Sequence, residues 1–205
     1  GLFKIYCYAA YSALLTQKED FLAFYPTAFY PCEASVFSAA TVELGGPHRN
    51  RSDWRGNIPP FEAAFWSIVT AAGTFRSLHG GHIILWDLGL VIQFPAGSSI
   101  LIPTGIVRYS FVDVGPTEER YSIIQWAGSG VRRFVENGYK SDVEFAREAS
   151  EEQHIMRENR RIDSHVQAAD LFPLVRDVQE GVLTFEYPGI NPPSLAAPQG
   201  YESDD

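Results

Sequence analysis

The chain has 205 residues, of which 45% are hydrophobic and 14% aromatic. A chain of this length and composition can form one sizeable core. It is expected to contain a single domain, with additional segments attached to it. No apolar run approaches the roughly 18–20 residues that span a bilayer, which excludes a transmembrane segment. Residues 1–140 carry 11 acidic and 11 basic side chains, so the net charge of −9 arises entirely in residues 141–205. The sequence contains no strong basic stripe of the kind that indicates a nucleic-acid-binding protein.

The first part of the chain predicts one helix and two strands. Apolar residues spaced three or four apart predict a helix over 8–24. Alternating β-branched and small residues predict a strand over 35–44, and 65–71 has strand character again. The polar segment 48–60 between them is rich in residues that break regular structure and predicts a loop.

The two cysteines, Cys7 and Cys32, lack the spacing of a metal site. Two buried thiols are the favoured interpretation, and a single disulfide is the alternative. The first residues also lack the layout of a secretory signal. Both observations favour an intracellular protein, nuclear or cytoplasmic.

The segment from Gly80 to Trp126 is the most informative part of the sequence. Five short apolar runs follow one another there, each separated from the next by turn residues such as glycine, proline and aspartate. No helical pattern lies between them. This arrangement predicts an antiparallel sandwich or barrel, which with the flanking helices makes an α+β protein.

The character of the chain changes after Trp126. Helical sequence begins near Gly128, and Ser141 followed by Glu144 forms a capping box that starts a helix reaching about Arg161. The sequence therefore predicts a β-domain with an N-terminal helix over 1–140 and a helical annex over 141–186. The last segment, 187–205, is predicted to be a flexible acidic tail.

Residues 35–140 resemble the TET/JBP-type 2-oxoglutarate dioxygenases, in particular the expanded set of mushroom-forming fungi, and four stretches carry the resemblance. They are residues 66–75 (WSIVTAAGTF), 80–103 (GGHIILWDLGLVIQFPAGSSILIP), 119–122 (ERYS) and 130–138 (GVRRFVENG). The resemblance covers about half of the chain. It implies a double-stranded β-helix, which is a jelly-roll or cupin-like barrel, with flanking N- and C-terminal helices. It also implies Fe(II) and 2-oxoglutarate as cofactors and oxidation of a modified cytosine as the activity.

The resemblance also implies positions for the functional side chains. Such enzymes hold iron with two imidazoles and one carboxylate, and a basic residue binds the far carboxylate of 2-oxoglutarate. Arg120 falls at the basic position, and an ion pair with Glu118 or Glu119 at the surface is its alternative role. Tyr109 stands where the family has its late histidine, and a phenol is a poor ligand for ferrous iron.

The upstream iron-binding motif, His-x-Asp, is also altered. In one alignment His48 is followed by an asparagine instead of the carboxylate, and in the other Asp53 is preceded by an arginine instead of the imidazole. Neither alignment restores the motif, so His48 and Asp53 are candidate ligands only if an insertion lets them approach each other. We therefore expect an iron site that is lost or altered.

Three functions remain open from the sequence. The favoured one is a barrel without iron chemistry that binds a small dicarboxylate, a nucleic acid or a protein partner. The second is an active 5-methylcytosine oxygenase. The third is a repurposed site that uses His48, Asp53, Tyr109 and Arg120 as acid–base and anion-binding groups, with Tyr109 and Asp53 as the catalytic candidates. In that site Arg108 and Arg120 lower the pKa of the Tyr109 phenol. Candidate nucleic-acid contacts are Arg49, Arg51 and Arg55, although a solvated loop is the more usual meaning of such a cluster.

Overall fold

A computed structural model describes residues 2–30, 34–44, 66–173 and 175–176 of the chain. The N-terminal helices are α1 (Leu2–Tyr6) and α2 (Tyr8–Phe24). The strands are β1 (Ala39–Leu44), β2 (Ser67–Thr74), β3 (Ile83–Leu85), β4 (Leu90–Ile92), β5 (Ser99–Ile102), β6 (Tyr109–Phe111) and β7 (Glu119–Trp126). The C-terminal helices are α3 (Ser129–Glu136), α4 (Asp142–Glu148) and α5 (Glu151–Asp170), and a short 3-10 turn, Trp86–Leu88, joins β3 to β4.

The seven described strands form two antiparallel sheets. The larger sheet has the order β1-β7-β2-β5, and the smaller sheet has the order β4-β3-β6. The five strands predicted between Gly80 and Trp126 are therefore present as β3 to β7; β3 to β6 are shorter than their predicted runs, and β7 begins one residue earlier than predicted. The α+β class is confirmed, with the described strands in two separate sheets instead of one closed ladder.

The main core lies between the two sheets. Burial alternates along β2, where Val69 and Ala71 are buried and their neighbours are only partly so. Successive side chains of a strand point to opposite faces, so this alternation identifies the inner face of the larger sheet. The smaller sheet contributes Ile83, Leu85 and Phe111 to the same cluster. The site described below is built into this layer.

The N-terminal helices cover the outer face of the larger sheet. Phe3 of α1 and Leu14 of α2 are buried there together with Phe37. They pack against Ile68 of β2 and Leu101 of β5, which point away from the inner core. Helix α2 has the bounds that the sequence predicts, whereas β1 begins at Ala39 and not at Ser35.

The predicted single helix from Ser141 to about Arg161 is wrong, because two helices occupy this segment. Ser141 caps α4 through the expected capping box with Glu144. A second capping box, in which Ser150 pairs with Gln153, ends the first helix and starts α5. Helix α5 then packs against its neighbours, with Arg157 bound to Asp142. The predicted tail, 187–205, lies outside the described residues.

Among the helices of the described segments, none is both long and apolar enough to cross a membrane.

Candidate functional site

Arg120 is the centre of the candidate site because it is a charged side chain inside the core. It belongs to β7, and only 1% of its surface is exposed. The acidic residues beside it in the sequence are engaged elsewhere: Glu118 binds Arg76, and Glu119 accepts a hydrogen bond from Tyr121. The alternative role of Arg120 in a surface ion pair is therefore wrong.

The guanidinium of Arg120 is only partly satisfied by hydrogen bonds. Its Nη1 donates to the Ser122 hydroxyl at 2.8 Å. Its Nε and Nη2 are buried and have no hydrogen-bond partner among the described residues. These two nitrogens lie on one edge of the planar group and donate in parallel, which is the geometry that a carboxylate accepts. Buried donors are rarely left without acceptors, so this edge is a candidate position for an acceptor group.

Aromatic rings hold the plane of the guanidinium. The centroid of Phe111 lies 3.6 Å from Cζ of Arg120, and the centroids of Phe75 and Phe94 lie at 6.0 Å. Phe94 and Phe111 are parallel to within 8°. A cation above an aromatic face is attracted by the negative charge of the ring. The rings therefore fix the guanidinium and shield it from water.

Gly73 of β2 is directly opposite Arg120 in the register of the larger sheet. Its φ angle is +111°, a conformation that side chains with a Cβ rarely adopt. A Cβ at this position would overlap the carbonyl oxygen of Glu119. Gly73 thus allows β2 to approach β7 closely beside the buried arginine.

Tyr109 faces Arg120 from the smaller sheet. It is 6% exposed, and it precedes Phe111 by two residues on β6, so both side chains point into the core. Burial raises the pKa of the Tyr109 phenol well above its usual range; Glu43 raises it further, and Arg120 opposes the change. The expectation of a lowered pKa is therefore wrong, because the effect of burial exceeds that of Arg120. Arg108, the second arginine expected to lower the pKa, points outward and binds Asp87 with Nη2 and Oδ1 2.8 Å apart.

Glu43 is a member of the site that sequence reasoning missed. It lies on β1 opposite Ser122, and paired residues of antiparallel strands share a face of the sheet. Glu43 therefore lies on the same inner face as Ser122 and Arg120. Burial raises the pKa of the half-buried Glu43 carboxyl, and the charge of Arg120 opposes that rise.

The charge of Arg120 persists at neutral pH in spite of its burial. Burial lowers the pKa of Arg120 to about 10, while Glu43 and Tyr109 act in the opposite direction. The guanidinium is protonated well above neutral pH, and the Tyr109 phenol keeps its proton. The site therefore contains one cation, one neutral phenol and one carboxyl whose proton is more firmly held than usual.

Glu43 predicts a pH dependence of stability. Because its pKa is raised on folding, the folded protein binds a proton more readily than the unfolded chain. The stabilisation from this proton is fully present below about pH 4.3, which is the pKa of a glutamate in an unfolded chain. It is lost as the pH rises through the higher pKa that Glu43 has in the folded protein. We expect the Glu43→Gln variant to lack this pH-dependent loss of stability. The measurement is the free energy of urea unfolding of wild type minus that of the variant, determined at pH values from below the unfolded pKa to above the folded pKa.

That difference isolates Glu43 from carboxylates such as Asp87 and Glu118, whose pKa values are lowered by hydrogen bonds and which act with the opposite sign. Glu119→Gln, an exposed substitution on β7, is the control and should keep the wild-type profile. Parallel profiles for wild type and Glu43→Gln would contradict this prediction.

The remaining predicted site residues lie outside the described part of the chain. They are His48, Arg49, Arg51, Asp53 and Arg55. Within 2–30, 34–44, 66–173 and 175–176, no group of three or more His, Cys, Asp or Glu side chains is arranged to hold a metal ion. Tyr109 does not fit as a ligand for ferrous iron, because a buried phenol with a raised pKa stays protonated. Cys7 is a buried free thiol, and Cys32 is also outside the described residues.

The chain was compared with known protein families and with curated proteins. No family model matches it, and no curated protein is similar to it.

Proposed function

We propose that this protein is a dioxygenase-like double-stranded β-helix that binds a small carboxylate at Arg120 and whose iron site is lost or altered. The observation that carries the proposal is the open edge of the Arg120 guanidinium, whose Nε and Nη2 have no partner among the described residues. A bidentate carboxylate would satisfy both donors. 2-Oxoglutarate is the carboxylate that the sequence resemblance implies.

The strand orders support the β-helix part of the proposal. In an eight-stranded jelly roll, the first strand lies beside the last, and each sheet alternates between early and late strands. The observed orders are β1-β7-β2-β5 and β4-β3-β6, so in the larger sheet the first described strand lies beside the last, and β2 lies between the late strands β7 and β5. The chain between β1 and β2 lies outside the described residues.

The state of Tyr109 supports loss or alteration of the iron site. A ligand for Fe(II) must offer an available lone pair with appropriate charge, and the family pattern places an imidazole here. A protonated, buried phenol offers a poor substitute. His48 and Asp53 stay predictions, as do the nucleic-acid contacts at Arg49, Arg51 and Arg55. An active 5-methylcytosine-type oxygenase would need a third iron ligand other than Tyr109.

Calorimetric titration without metal tests the carboxylate site. We expect wild type to bind 2-oxoglutarate or the monocarboxylate pentanoate, and Arg120→Gln to weaken binding by roughly 100-fold or more, because two charge-assisted hydrogen bonds are lost. Arg108→Gln is the matched control, since it removes an arginine from the adjacent β6 region that is exposed and paired with Asp87. Circular dichroism establishes that each variant is folded.

Two results would contradict the proposal. Absence of carboxylate binding by wild type would remove the binding function, and equal binding by Arg120→Gln would remove Arg120 as its cause. Titration with Fe(II) tests the second part of the proposal. Stoichiometric iron binding that tightens the affinity for 2-oxoglutarate would instead support the active oxygenase.

A further inference from the structure

The candidate site holds a carboxyl group as well as a guanidinium, and this combination restricts the ligand. We propose that the natural ligand is a zwitterionic amino carboxylate, with its carboxylate bound to Arg120 and its ammonium group bound to Glu43. This inference rests on the proposed function, namely that Arg120 binds a carboxylate. The inference adds a second charge that the ligand must carry, namely the ammonium group that binds Glu43.

The register of the larger sheet places the two charged groups side by side. Glu43 is opposite Ser122, and the Ser122 hydroxyl accepts the hydrogen bond from Nη1 of Arg120. Glu43 acts on Arg120 through its charge, but it does not hydrogen-bond the open edge, since Nε and Nη2 have no partner among the described residues. The acid therefore accompanies the arginine without occupying its carboxylate-binding edge.

The charge balance of the site favours a neutral ligand. With Glu43 ionised, Arg120 and Glu43 together have no net charge, and Tyr109 adds none while it is protonated. A dicarboxylate would bring two negative charges into this enclosed region, and a monocarboxylate would bring one. Unbalanced charge is costly where water is excluded. A zwitterion adds no net charge and offers a partner of opposite sign to each group.

Tyr109 and the aromatic rings complete the recognition of such a ligand. The phenol interacts electrostatically with both Glu43 and Arg120, so the three groups lie near one another on the inner faces of the two sheets. Phe111 packs against one face of the guanidinium, whereas Nε and Nη2 on its edge have no hydrogen-bond partner among the described residues.

Calorimetry on the full chain with probes of one carbon skeleton tests this inference. The probes are pentanoate, glutarate, pentylamine and two zwitterions, L-norvaline and 5-aminopentanoate, which place the ammonium near to and far from the carboxylate. At neutral pH, we expect at least one zwitterion to bind about tenfold more tightly than pentanoate, because a charge-assisted hydrogen bond to Glu43 is added. Pentylamine should not bind, since it lacks the carboxylate that Arg120 binds.

Two variants assign the preference to Glu43. In Glu43→Gln, the zwitterion should lose its advantage while pentanoate still binds, because the open edge of Arg120 is unchanged. Glu119→Gln, an exposed acid on β7, should keep the wild-type order of affinities. Thermal unfolding of both variants verifies that they are folded.

The outcomes separate this inference from the proposed function. If the carboxylates bind through Arg120 but neither zwitterion is preferred, only the zwitterion is overturned. A preference that survives Glu43→Gln overturns the assignment to Glu43. If no probe with a carboxylate binds, the proposed function and this inference both fail.

Discussion

Replacing Phe111 with alanine is expected to lower the free energy of unfolding by about 3–5 kcal/mol and to weaken carboxylate binding at Arg120. The side chain is 7% exposed and belongs to the core between the sheets. Its ring lies 3.6 Å from Cζ of Arg120, so its removal leaves a cavity beside the guanidinium. Urea unfolding measures the first effect, and calorimetry with pentanoate measures the second in the absence of denaturant.

Ile83→Ala separates the two effects of the Phe111 substitution. Ile83 pairs with Phe111 across β3 and β6 and is fully buried in the same cluster, so its truncation should cost about 2–5 kcal/mol. The cation–π contacts to Arg120 come from the rings of Phe75, Phe94 and Phe111. We therefore expect Ile83→Ala to be destabilised without a matching loss of affinity. Equal losses of affinity in both variants would show that Phe111 has no special part in holding the arginine.

The second large effect is expected at Gly73, where alanine should cost roughly 2–4 kcal/mol. A left-handed backbone conformation is strained for alanine by about 1–2 kcal/mol, and the new Cβ would also overlap the Glu119 carbonyl oxygen. Relief of that overlap requires β2 and β7 to move apart beside Arg120. Chemical denaturation gives the stability, and amide exchange of the β2–β7 pair reports the separation.

Gly97→Ala is the control for backbone strain alone. Gly97 has a φ angle of +86°, similar in sign to that of Gly73, but a Cβ there would meet nothing within 4 Å. We expect this variant to lose about 1–2 kcal/mol. If Gly73→Ala and Gly97→Ala are equally destabilised, the close approach of β2 to β7 carries no additional cost.

The local elements of this fold could be predicted because their signals are local. Turn residues separate the apolar runs of β3 to β7, and the spacing of apolar residues identifies α2. The break between α4 and α5 also has a local signal, the Ser150–Gln153 capping box. It was missed because the charged sequence on either side continues to fit a helix.

Glu43 could not be predicted because its position depends on strand pairing. In β1 the apolar Val42 is 59% exposed, while the acidic Glu43 lies on the inner face opposite Ser122. The hydrophobic pattern of β1 alone favours the reverse arrangement. Only the register with β7 determines which side chains face Arg120.

The electrostatics of Tyr109 depended on a partner that the sequence does not place. Arg108 is adjacent to Tyr109 along the chain, yet consecutive residues of a strand point to opposite faces. Its backbone N–H and its guanidinium both bind Asp87, which comes from the turn after β3. Burial then dominates the pKa of Tyr109, and the resemblance alone gave no measure of that burial.

The two sheets differ in how firmly they are held, and this difference affects access to the site. Each strand of the smaller sheet has three residues, and Trp86 and Val91 are exposed beside it, whereas α1 and α2 cover the larger sheet. Short strands with few paired residues open at a lower free energy than long, well-covered strands. We expect fluctuations of β6 to expose Arg120 to solvent while β7 stays paired, so that ligand exchange follows the opening rate of the smaller sheet.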